Sequence, residues 1–377
     1  MLRRRPPRDL DWREWEAVCR NANSLSYGKS ARTTSKRHAP GDVIRMGQGH
    51  VVDQQAWAQM TTPDVYFSKA YHQVSSAAEP DVAAPVLLEW ADDDGTARLP
   101  LILRRIADED YFDATSAYGY GGPWIEGNPN LSQFRQFIDQ WAQDTHVVSS
   151  FIRFHPLLDN ARATEDIFPL EHLGQTAAWD LRGEEDLVQR MAKNHRKSWR
   201  RAIRGGVAAR VTEQPECVDQ FRALYEISMD RLSARDFYWF TDDYWSSMRE
   251  NLRDSSLLVE AVFEDRVIAA AWCLFSDDFI HFHLSGTTDE GRELGGAFVC
   301  RVAAAEWARK KGMIQGHFGG GAGGADSSLL DWKRRFDESS PLCDFFIAKV
   351  VHSPDQFERL AGATAGQKFF PPWRAPK

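Results

Sequence analysis

Cysteine is scarce in this chain. Only Cys19, Cys217, Cys273, Cys300 and Cys343 occur in 377 residues, scattered and without a C-x-x-C pair. That usage argues against a disulfide framework and a thiolate metal site, and it fits a reducing compartment. Long apolar runs are also missing: the longest, Val267 to Phe275, is far too short to cross a bilayer. Positive charge is not in excess, since 46 Lys and Arg stand against 54 Asp and Glu, a net of −8. The chain is therefore no bulk nucleic-acid binder, and any polyanion site must be a local patch. There is no G-x-S-x-G elbow, no Walker loop and no G-x-G-x-x-G, which removes α/β-hydrolase, P-loop and dinucleotide readings. Arg3, Arg4, Arg5 and Arg8 have no apolar stretch behind them, so the expectation is a cytoplasmic protein without a signal peptide.

What is present is aromatic and organised. An aromatic fraction of 12% belongs to a chain that packs a core, and the length suits two domains. Residues 1–50 read as a loosely ordered extension. Val86 to Trp90, the turn Asp92-Asp93-Asp94-Gly95 and Ala97 to Ile106 read as a hairpin. A third strand (Tyr111 to Ala117), the loop Tyr118 to Pro123, a helix (Leu131 to Thr145) and a strand (Ser149 to Phe154) follow. The series then recurs: Leu257 to Phe263, Val267 to Phe275, Phe279 to Leu284, a helix from Arg292 to Lys311, and Ile314 to Phe318. This is a duplication of structure with little shared identity. The expected fold is α/β (α+β, mixed sheet), with domains at 51–175 and 176–350. The linker is expected near Leu170 to Gln175, and the segment after about 350 returns to the first domain.

Four groups of residues can carry chemistry. Arg292-x-x-Gly295-Gly296-Ala297 opens a helix, where backbone N–H groups and the dipole suit a pyrophosphate; a helix start packed with small residues is the plain alternative. Lys193, Arg196, Lys197, Arg200, Arg201 and Arg204 fall on one helical face. They are either a solvated stripe or the site of a phosphate-rich partner. Lys333, beside Trp332, follows the glycine run that includes Gly319, Gly320 and Gly321, where an ammonium can stabilise the oxyanion of a tetrahedral intermediate. His281 and His283 share a strand face, with His317 on the next strand, and they read as core or cleft histidines. No metal is expected. Glu126, after Gly122-Pro123-Trp124, is either a loop acid or a group that positions or deprotonates an amine.

Together these pieces resemble the Fem family of non-ribosomal aminoacyltransferases, built from two tandem GNAT-like domains. The resemblance runs from about Val51 to the C-terminus. It rests on Tyr120-Gly121-Gly122-Pro123 with Glu126, HRKSWRRAIRGGV from His195, SGTT from Ser285, AAAEWARKKG from Ala303, and FGGG from Phe318 followed by LLDWKRRF. It implies transfer of an amino acid from aminoacyl-tRNA to an amine of a peptidoglycan precursor, a small molecule or a peptide, without a cofactor. The Trp332-Lys333 pair then stands where Phe-Lys is usual, Glu126 where Asp is usual, and Lys193 to Arg204 at the tRNA. Lys69, Tyr120, Arg231, Arg235, Tyr238 and His283 become acceptor-binding candidates. There is no coiled-coil arm, and Arg292 to Ala297 looks more like the coenzyme A turn of ordinary GNAT enzymes. An acyl-CoA donor is therefore the rival reading.

Overall fold

The computed structural model describes residues 47–79, 83–107, 109–321, 328–362 and 369–375. Thirteen strands form one sheet: β1 (Gln48–Val51), β2 (Ala83–Asp92), β3 (Gly95–Arg105), β4 (Phe112–Thr115), β5 (Trp124–Gly127), β6 (Val147–Arg153), β7 (Leu170–Asp180), β8 (Ala208–Glu213), β9 (Ser256–Phe263), β10 (Arg266–Phe275), β11 (Phe279–Thr287), β12 (Gln315–Gly320) and β13 (Cys343–Val351). Their order is β1-β2-β3-β4-β6-β13-β7-β12-β11-β10-β9-β8, with β5 on β3. Most of the expected extension lies outside the described residues. Its last residues do not behave as loose chain, because Gln48, Gly49 and His50 pair with Ala91, Trp90 and Glu89.

The repeat is visible in the pairing. In the first half, β2, β3 and β4 are antiparallel neighbours and β6 lies parallel to β4 after the helix Leu131–Asp144. That helix buries Phe134, Phe137, Ile138 and Trp141 along one stripe, and Asn130 caps it by accepting from the Gln133 N–H. In the second half, β9, β10 and β11 are antiparallel and β12 lies parallel to β11 after the helix Gly296–Lys310. Each half has its own apolar core. A third cluster, with Tyr66, Tyr71, Trp124, Tyr225, Trp245 and Trp272, fills the space where elements of both halves meet.

Two strands cross over between the halves. Residues 170–175, expected as a linker, instead begin β7, which runs antiparallel to β12 of the second half. β13, which follows the second half, pairs with β6 of the first and with β7. The chain then stays with the first half. Phe357 stacks on Phe370 at 5.6 Å, and Trp373 and Arg374 both donate to Asp113 at 2.8 Å.

Candidate acyl-transfer site

β11 and β12 are paired over only three positions, from Phe279↔Gln315 to His281↔His317. Beyond them β11 continues to Thr287 while β12 follows β7 to Gly320. A bulge sits at the fork: His317 faces Ala178 and Gly319 faces Ala177, so Phe318 and Gly319 share one partner. Gly319 has φ +74, a conformation that a side chain resists. A Cβ there would lie 3.0 Å from Tyr120 Oη and 3.6 Å from Lys333 Nζ. Lys333 Nζ donates to the Gly320 carbonyl at 2.6 Å. Burial, with the nearby Arg301 charge, pushes the Lys333 pKa down to about 7. Tyr120, Gly319, Gly320 and Lys333 thus meet at one point, and Gly321 ends the described part of the glycine run.

Lys333 lies on the helix Ser328–Arg334, and that helix is tied to the cationic one. The helix Lys193–Arg204 has the bounds that its pattern predicts. His195 Nε2 donates to the Trp332 carbonyl at 2.9 Å, and the Ala192 N–H donates to the Arg335 carbonyl at 2.9 Å. Lys193, Lys197, Arg200, Arg201 and Arg204 are exposed and Arg196 is half-buried. Among the described residues none of the six forms an ion pair with a carboxylate, although sixteen other arginines do. Trp332 itself packs under the Arg301 guanidinium, 4.6 Å from its ring centre.

The segment expected to open a helix at Arg292 is built differently. Arg292 belongs to a short helix, Asp289–Leu294, which ends at Gly295 with φ +80 before Gly296–Lys310 begins. The Gly291 N–H is taken by Thr288 Oγ1, that of Arg292 by the Thr288 carbonyl, and that of Gly295 by the Gly291 carbonyl. Gly296 is buried against Ala269, Ala297 is half-buried, and Arg201 donates to the Glu293 carbonyl at 3.0 Å. The turn is thus a helix-to-helix kink with several of its amides already used.

The acceptor candidates divide. Tyr120 and His283 line the cluster between the halves. His283 receives or gives a hydrogen bond with Tyr244 Oη at 3.0 Å, and burial lowers its pKa to about 3. The Tyr238 carbonyl accepts from Tyr225 Oη at 2.8 Å. Arg231 is spent on the Thr287 carbonyl at 2.8 Å, Arg235 is exposed, and Lys69 starts a helix where its charge acts on Asp53. Glu126 does not join the site. It sits on β5, 57% exposed, bonded to Arg98 at 2.8 Å, and none of its bonds reaches Tyr120 or Lys333.

Several buried residues beside the fork lay outside the sequence reading. Asp64 is fully buried and accepts from the Tyr66 N–H (3.0 Å), Ser276 Oγ (3.0 Å) and His281 Nε2 (2.8 Å). His155 Nε2 is 3.6 Å from its other oxygen. Burial by itself would raise the Asp64 pKa, but His281 and His155 outweigh it and hold the carboxyl well below the usual range. Asp64, His155 and His281 present atoms within 4.8 Å of one another, a spacing that suits a cation, yet Asp64 already accepts three hydrogen bonds. Arg153, also missed, donates to Thr115 Oγ1 at 3.2 Å and to the Ser116 carbonyl at 3.1 Å, and burial lowers its pKa to about 10. No local signal marks Asp64, since its partner His281 is 217 positions away.

Comparison with known proteins agrees with this architecture. Residues 189–334 match the acetyltransferase (GNAT) domain model. No curated protein matches by sequence. Among solved structures, FemX aligns with TM-score 0.54 and 11% identity, over 79% of this chain and 99% of that one. The C-terminal domain of a putative lysylphosphatidylglycerol synthetase from Agrobacterium fabrum aligns with TM-score 0.48 and 14% identity, over 69% and 81%. A tandem GNAT protein from the clavulanic acid biosynthesis pathway aligns with TM-score 0.46 and 10% identity, over 74% and 87%. The chain thus shares the fold of FemX, and its residues 189–334 match the GNAT acetyltransferase domain.

Proposed function

We propose that the protein is an amide-forming N-acyltransferase that moves an amino acid from aminoacyl-tRNA to an amine. The acceptor is a peptidoglycan precursor, a small molecule or a peptide. The observation that carries this reading is the link between Lys333 and the unpaired cationic helix through His195 and Trp332. Phosphates of an acceptor stem on Lys193 to Arg204 would bring the ester end toward the fork of β11 and β12. There the Lys333 ammonium and backbone N–H groups would stabilise the oxyanion as the amine attacks. The acceptor amine would come from the aromatic cluster between the halves, the usual place for a pocket.

The acyl-CoA alternative needs the Arg292–Ala297 turn as a pyrophosphate cradle. The engaged amides of Gly291, Arg292 and Gly295 count against it. A donor test with purified protein decides between them: charged tRNA against acetyl-CoA and longer acyl-CoAs, with amide product measured. Transfer from tRNA is the expected result. Transfer from a coenzyme A thioester with none from tRNA would overturn the proposal.

A further inference from the structure

His281 and His317 lie side by side, with Nδ1 to Nδ1 at 3.2 Å. The hydrogen-bond chain favours one placement of their protons. Asp64 is an acceptor, so His281 carries its proton on Nε2. A neutral His281 then has a bare Nδ1, which must receive the Nδ1–H of His317. His317 is left with a bare Nε2, which is buried and has no partner among the described residues. The reverse arrangement would require an imidazolium at His281 and strand an N–H at His317 Nε2, the rarer kind of buried orphan. His317 is two residues before Gly319 on β12, and the Tyr120 ring lies 4.8 Å from it.

We propose that His317 Nε2 is the general base of the transfer, in the place that Glu126 does not fill. The inference rests on the acyl-transfer reading above. In the step, the amine nitrogen forms its bond to the acyl carbon and the ester C–O bond breaks. The proton lost by the amine goes to His317 Nε2, and the imidazolium passes it, directly or through one water, to the leaving oxygen, which departs as the hydroxyl and leaves His317 neutral again. His281 and Asp64 hold the tautomer and compensate the charge on the histidine pair. The groups facing it are His281, Asp64 and His155, with the Lys333 charge and Tyr120 on the substrate side. Burial, with the Lys333 charge nearby, holds the His317 pKa well below the usual imidazole range and keeps the ring neutral at rest. The amine, or one water bonded to it, enters beneath Tyr120.

The test uses the full chain and the substitution His317→Asn, whose amide can still donate to His281 Nδ1. Turnover should fall about 100-fold or more with KM for the donor unchanged. The deficit should shrink with an acceptor amine of low pKa, which needs less help in losing its proton. A merely structural role would not depend on amine basicity. Full turnover in His317→Asn, or a deficit indifferent to the amine, overturns the proposal. Nitrogen NMR of histidine-labelled protein reads the tautomer without any activity. Protonated Nδ1 with bare Nε2 is expected at His317, and the opposite tautomer, or a shift of these signals when zinc is added at stoichiometric level, refutes the relay. The expected tautomer in a protein that transfers from neither donor would instead sink the acyl-transfer reading.

Discussion

At the scale of single residues, Lys333 and Gly319 define what the fork can do. Lys333→Met should lower turnover roughly 100- to 1,000-fold while leaving tRNA affinity intact, as for loss of one oxyanion donor; steady-state kinetics and a binding titration check this. With its pKa at about 7, the ammonium is present below that pH and lost above it. Wild-type turnover should accordingly fall as pH rises through about 7. The stability effect has its own sign: between about 7 and the ordinary lysine value the unfolded chain binds the extra proton, so stability rises with pH across that window. Urea titrations at pH 6 and pH 10 should show Lys333→Met removing this dependence. Gly319→Ala forces a Cβ into a left-handed position 3.0 Å from Tyr120 Oη. It should cost about 1–2 kcal/mol in unfolding experiments and reduce turnover as well. Lys333 behind a glycine run was legible because both sit in one short stretch. Asp64 was not, because its meaning comes only from His281 and His155.

At the scale of elements, the cationic helix was read at its true bounds. Its 3.6-residue alternation survives folding, with His195 and Ala202 buried beneath the stripe. Arg200→Ala with Arg201→Ala should weaken tRNA binding and reduce the slope of log affinity against log salt by about 2. A salt series by filter binding measures it, and an unchanged slope would make the stripe a solvated face. The stretch from Arg292 to Lys311 reads as one helix but is two, because Gly295 takes φ +80. Composition alone does not reveal a glycine's sign of φ. β8 escaped detection for a different reason: it is largely exposed along its length, so no apolar alternation marks it.

At the scale of the whole molecule, the exchange of β7 and β13 and the return of the C-terminal segment hold the two halves together. Asp113 is fully buried with Arg104 at 2.6 Å and Arg374 and Trp373 at 2.8 Å. Asp113→Asn removes the charge shared by Arg104, which keeps Glu79, and Arg374, which keeps the Arg105 carbonyl, and should lower the unfolding free energy by about 1–3 kcal/mol. Urea unfolding measures this, and unchanged stability would mean that the terminal segment is not tethered there. By itself the sequence determined the local and periodic features: the two hairpins, the amphipathic helices, the repeated series and the glycine run before Lys333. Those follow from patterns within a few residues of one another. Only the tertiary structure decided which strands cross between the halves, that Glu126 faces outward to Arg98, and that Asp64, His281 and His317 form one chain of hydrogen bonds. Such pairings join residues up to 217 positions apart, and a strand's own pattern shows which face it buries without naming its neighbour.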